Sequence, residues 1–104
     1  MISGNQTQTV LIRAIGPGLT PFGVTGTMAD PVVELYAGAN KIGENDDWSG
    51  TQAVQLAAQV GAFALTAGSR DAVLLATLPA GAYTLQTRGK TGGGEVLLEV
   101  YEID

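Results

Sequence analysis

The chain has 104 residues, 45% of them hydrophobic, with no cysteine, no histidine and a formal net charge of -5. A single domain of this size buries roughly 60 to 70% of its unfolded surface and folds without staples, while the missing side chains exclude disulfides, thiolate nucleophiles, Ser-His triads and His- or Cys-ligated metals. Five scattered basic residues against ten acidic ones argue against nucleic acid and anionic membrane surfaces, and no apolar run approaches the ~20 residues that insert into a bilayer.

Met1-Ile2-Ser3-Gly4 lacks the basic and apolar regions of a signal peptide, which is equally expected of a module excised from a longer secreted protein. Thr9 to Ile15 is the first strand: Val10, Ile12 and Ala14 form one face, Leu11, Arg13 and Ile15 a mixed other face, and Gly16-Pro17-Gly18 stops it. The three prolines and four glycines of Gly16 to Pro31 predict a long ordered loop over the sheet, pegged by Leu19, Phe22, Val24 and Met28. Val32 to Ala37 then turns through Gly38-Ala39-Asn40 into Lys41 to Glu44, a hairpin. Thr51 to Val60 is the one predicted helix, with Val54, Ala57, Ala58 and Gly61 near one face and Ser49-Gly50-Thr51-Gln52 fitting a capping box. Such a short, Ala-rich helix is marginal alone and must dock on the sheet.

Past Phe63 to Thr66 and the Ala67-Gly68-Ser69 turn, Asp71 to Arg88 reads as two strands folded back at Pro79-Ala80-Gly81, a second hairpin. Gly92-Gly93-Gly94 leads to a last strand, Glu95 to Ile103, with Val96, Leu98 and Val100 expected inward and Glu95, Glu99 and Tyr101 outward. Many short strands, regular turn signals and one helix predict an all-β fold: a mainly antiparallel, jelly-roll-like β-sandwich in one domain over residues 1–104.

The dense polar cluster is Glu44-Asn45-Asp46-Asp47-Trp48-Ser49-Gly50. Its alternating oxygen ligands suit a hard cation, with Asn45, Asp46 and Asp47 as candidate metal ligands and calcium as the cation. In calcium-loop numbering from Asn45, however, the position of the bidentate Glu is held by Leu56. The competing reading is that Asn45 and the two aspartates bond the backbone as Asx turns while Trp48 packs, and the expectation is no cofactor. Gly89-Lys90-Thr91 imitates the end of a P-loop, but Thr84 stands where its first glycine belongs and no helix follows. Trp48, Tyr83 and Tyr101 are the candidate ligand-binding residues, as an aromatic platform for sugar rings; Tyr83 and Tyr101 are expected on adjacent strands, where aromatic pairs also simply stabilise a sheet.

Asp30-Pro31-Val32-Val33-Glu34-Leu35-Tyr36, then Ile42-Gly43-Glu44-Asn45-Asp46-Asp47-Trp48, then Leu78-Pro79-Ala80-Gly81-Ala82-Tyr83-Thr84-Leu85 and the closing Glu99-Val100-Tyr101 resemble, in order, the pre-peptidase C-terminal type of β-sandwich module. Such modules are appended to large secreted or surface bacterial proteins. The resemblance implies an extracellular or cell-surface location and an accessory, adhesive or spacer role without catalysis. It implies neighbouring modules or identical subunits as partners, with glycan as the alternative, and neither nucleic acid nor membrane insertion.

Overall fold

A computed structural model describes residues 7–46, 48, 51–63, 65, 69–90 and 92–103. The strands are β1 (Gln8–Ile15), β2 (Pro31–Ala37), β3 (Asn40–Asn45), β4 (Ala72–Leu78), β5 (Tyr83–Gly89) and β6 (Leu97–Ile103), with helix α1 (Thr51–Gln59) between β3 and β4. They form two antiparallel three-stranded sheets, ordered β4-β1-β6 and β3-β2-β5. The fold is therefore all-β and sandwich-like, as the turn spacing predicts. Among the described residues no helix is long and apolar enough to cross a membrane.

β1 and β2 are the central strands, and their composition says why. Val10, Ile12 and Ala14 of β1 meet Val33 and Leu35 of β2 with Ala72 and Leu78 of β4, and Leu74, Ala76, Tyr83, Leu85 and Val96 pack around them. Full burial of side chains such as Ile12 or Leu35 contributes about 2 to 3 kcal/mol each. The opposite face of β1 is buried as well: Leu11, Arg13 and Ile15 are all inaccessible. Gly43 lets β3 lie close to β4, since a Cβ there would stand 3.2 Å from Leu74 Cδ2.

The β2–β3 hairpin forms as expected, with Ala37 opposite Asn40 across a two-residue Gly38-Ala39 turn in which Gly38 takes φ 61°. A bulge between Leu35 and Tyr36 leaves Ile42 half-exposed outside the ladder. The β4–β5 pair is different: β4 joins β1 and β5 joins β2, so Pro79 to Gly81 carries the chain from one sheet to the other rather than closing a hairpin. Turn chemistry specifies a reversal but not the pairing partner, and here the Tyr83 hydroxyl, donating to the Pro79 carbonyl at 2.6 Å, fixes the corner.

Within the predicted loop, Pro17–Phe22 is a 3-10 helix. Met28 is the buried peg, Leu19 and Val24 are half-buried, and Phe22 is 65% exposed with its ring edge-on to Phe63. On α1, Leu56, Ala57 and Val60 are half-buried while Ala58 and Gly61 are exposed, a face shifted from the expected one. The capping residues Ser49 and Gly50 and most of the Ala67-Gly68-Ser69 turn lie outside the described residues.

Candidate functional site

The predicted cation loop starts at the end of β3. The Asn45 side-chain oxygen accepts the Val73 N–H at 3.0 Å and so ties β3 to β4 across the two sheets. Asp46 accepts from Lys90 Nζ at 2.8 Å, an ammonium standing where a cation would compete for that carboxylate. Asp47 lies outside the described residues. Asn45 and Asp46, with Val32, Glu44, Arg88 and Lys90, line a polar cavity of about 290 Å³. Among the described residues no cluster of three His, Cys, Asp or Glu side chains has metal-holding geometry. The expected result is an unchanged melting curve between chelator and millimolar calcium; a melting temperature rising with calcium would establish a site.

Beside this cavity the outer face of the β3-β2-β5 sheet carries a charge network. Glu34 Oε2 accepts from Lys41 Nζ at 3.2 Å, Lys41 also reaches Glu44 Oε1 at 3.2 Å, and Arg88 Nε lies 3.4 Å from Glu34 Oε1. The Lys41 hydrogen bond is the main force that holds the Glu34 carboxyl below the ordinary value of 4.5, against the opposing effect of burial. A depressed carboxyl stabilises the fold fully above its unfolded value and ceases to do so as pH falls through the folded one. Lys41→Gln is therefore expected to move acid unfolding to higher pH, read by circular dichroism; an unmoved acid midpoint would show the network to be inert.

The three candidate aromatic residues do not share a surface. Tyr83 packs into the core of one sheet, and Tyr101 lies on β6 opposite Leu11 in the other, so they are not on adjacent strands. Trp48 is half-buried in the loop after β3 and donates its indole Nε1–H to Ser69 Oγ at 2.9 Å. That hydroxyl donates in turn to Asp71 Oδ2 at 2.7 Å.

Asp71 is the hub of this end of the molecule. It is fully buried, and its Oδ1 accepts the backbone N–H groups of Gly16 and Gly18 at 2.8 and 3.0 Å, while its own carbonyl accepts the Trp48 N–H at 2.9 Å. The Gly16-Pro17-Gly18 turn is thus wrapped around a carboxylate. A Cβ on Gly16 would collide with the Met28 carbonyl, and one on Gly18 would stand 2.9 Å from Ile15 Cγ2, so glycine is required at both. Sequence reasoning missed Asp71; the signal was an acid directly before a strand in a chain whose Gly-Pro-Gly turn exposes backbone donors.

A second buried charge lies on the outer face of the β4-β1-β6 sheet. Arg13 is 1% exposed; its Nε lies 3.2 Å from Glu99 Oε1, an ion pair whose geometry falls short of a hydrogen bond, and its guanidinium stacks 4.7 Å from the centre of the Phe63 ring. Tyr101 donates its hydroxyl to Glu99 Oε2 at 3.0 Å, and burial, then this carboxylate, raises the phenol above its ordinary value. Glu99 and Tyr101 do lie on the face turned away from the other sheet, as expected, but that face is covered and both are half-buried.

The remaining feature is the β5–β6 side of the sandwich. Leu98 and Val100 stand opposite Ala14 and Ile12 and so share the core-facing side of their sheet, yet they are 38% and 52% exposed. Of the expected inward residues, Val96 packs on the core, while Leu98 and Val100 point inward but are left uncovered. β6 is the end strand of its sheet, β5 the end strand of the other, and among the described residues no strand pairs with the outer edge of either. No family model, curated protein or solved structure matches this chain.

Proposed function

We propose that this chain is a non-catalytic structural module of an extracellular or cell-surface protein, acting by packing against neighbouring modules or identical subunits. The observation that carries the reading is the half-open sandwich: Leu98 and Val100 lie on the core-facing side of β6 but are uncovered, with Leu97 also 41% exposed at the same edge strand. An edge strand with open backbone donors and acceptors beside uncovered apolar side chains is a template for another strand. The polar clusters support the same reading, because their carboxylates are engaged in holding the fold: Asp71 closes a turn, Glu34 is paired with Lys41 and Arg88, and Asp46 with Lys90. The resemblance to modules of large secreted or surface bacterial proteins supports the location.

Small-angle scattering over a wide concentration range tests it. A particle mass that rises with concentration, and that is unaffected by a panel of soluble glycans, is the expected result. A monomer throughout, with saturable binding of a glycan lost in Trp48→Ala, would replace this reading by a carbohydrate-binding module. Turnover of any glycan or peptide abolished by Asp46→Asn would overturn the non-enzyme reading.

A further inference from the structure

The four end strands of the two sheets are not equally open. β3 carries the bulge at Leu35/Tyr36 and the charged Lys41, both of which discourage a further strand. β4 lies alongside β3, and its Val73 N–H is already taken by Asn45. β5 presents the polar Thr84, Gln86 and Arg88 on its solvent face and ends at Gly89. β6 is the least protected: Leu97–Ile103 is seven residues long, holds no Pro, Gly or Lys and no bulge, and leaves Leu97, Leu98 and Val100 exposed, with Glu102 as its exposed charge.

We infer that β6 pairs antiparallel with β6 of a second copy of this chain about a two-fold axis at Val100, joining two sheets into one of order β4-β1-β6-β6-β1-β4. This rests on the reading of the chain as an interaction module and names its partner. Symmetry restricts the register, because a two-fold perpendicular to a sheet must place one residue opposite itself. Centred on Glu99, the pairing sets carboxylate against carboxylate, and like charges directly opposite destabilise a strand pair. Centred on Tyr101, Leu97 and Leu98 find no partner within Leu97–Ile103.

Centred on Val100, all seven residues pair: Leu97 with the second copy's Ile103, Leu98 with its Glu102, Glu99 with its Tyr101, and Val100 with its Val100. No acid opposes an acid. Each Tyr101 hydroxyl, which donates to Glu99 within its own strand, then faces a second carboxylate across the pair. On the core-facing side the two Val100 side chains adjoin and each lies diagonal to the other copy's Leu98, so the same contact that satisfies the strand edge also covers part of the uncovered apolar surface.

The chain has no cysteine, so a single introduced thiol reports on one contact. Val100→Cys is expected to cross-link into a covalent dimer under mild oxidation or with a short bis-thiol reagent, whereas Ile42→Cys, equally exposed on the edge of β3, is not. Val100→Lys, which sets two ammonium groups face to face, is expected to weaken self-association at least about tenfold in sedimentation equilibrium, with circular dichroism confirming the fold. Self-association that survives Val100→Lys, with cross-linking no greater at Val100 than at Ile42, overturns the β6 pairing while leaving the interaction-module reading in place. A chain that is monomeric at every concentration, with no cross-link from either thiol, overturns both.

Discussion

Asp71→Ala is expected to destabilise the protein by about 3 to 5 kcal/mol, out of a total that for a domain of this size is on the order of 5 to 15 kcal/mol. The side chain is fully buried, and its removal strands the N–H groups of Gly16 and Gly18 and the Ser69 hydroxyl, which in turn supports the Trp48 indole. Each buried donor left without an acceptor costs about 1 to 3 kcal/mol, with water reaching the less enclosed ones. Asp71→Asn keeps Oδ1 for the two glycines and replaces Oδ2 by a donor. Ser69 must then accept from both the amide and Trp48, which its two lone pairs permit, so the loss is expected to be only about 1 to 2 kcal/mol. Urea denaturation with an unchanged slope measures both. A loss in Asp71→Ala below that in Asp71→Asn would show that the carboxylate does not organise the turn.

The second large effect is an asymmetry between two partners. Glu99→Ala is expected to cost about 3 kcal/mol, because it leaves the Arg13 guanidinium buried without its counter-charge. Arg13→Met removes the buried charge itself, keeps most of its volume and leaves Glu99, the more exposed partner at 20%, in reach of water. Its cost is expected to be below about 1 kcal/mol, since a buried ion pair repays its desolvation only with good geometry. The geometry here is poor: among the described residues the guanidinium nitrogens have no hydrogen-bond partner, and Phe63 covers one face of the group. Thermal melts of the two variants decide it, and an Arg13→Met loss equal to or larger than that of Glu99→Ala would contradict this account of the pair.

The parts of the fold that were legible in the sequence are those with local causes. β1, α1 and the Gly38-Ala39 hairpin follow from apolar spacing and from a glycine that tolerates positive φ, and the structure has them within a residue or two. Partner choice was not legible. Pro79-Ala80-Gly81 reverses the chain whether the next strand joins β4 or crosses to β2, and the difference lies in distant side chains. The faces of β6 were read correctly by alternation, but burial depends on what lies above each face. The chain covers Glu99 and Tyr101 and leaves Val100 open.

The candidate site followed the same division. Trp48 was expected to pack and does so in part, through a hydrogen bond to Ser69 whose acceptor role no local pattern announces. Asn45 and Asp46 were visible as polar turn residues, but their partners Val73 and Lys90 lie 28 and 44 positions away in the sequence. Arg13 looked like the polar residue of a mixed strand face and is instead among the most buried side chains of the molecule.

Residue-resolved amide exchange across β6, followed as concentration rises, tests the central claim most directly. In an antiparallel end strand, alternate N–H groups bond inward and the others face out. The account predicts that the inward amides, bonded to β1, are protected at every concentration, while the outward ones exchange freely in dilute solution and gain protection as copies pair. Exchange along Leu97–Ile103 that is independent of concentration, or protection that rises on β3 or β5 instead, would contradict it.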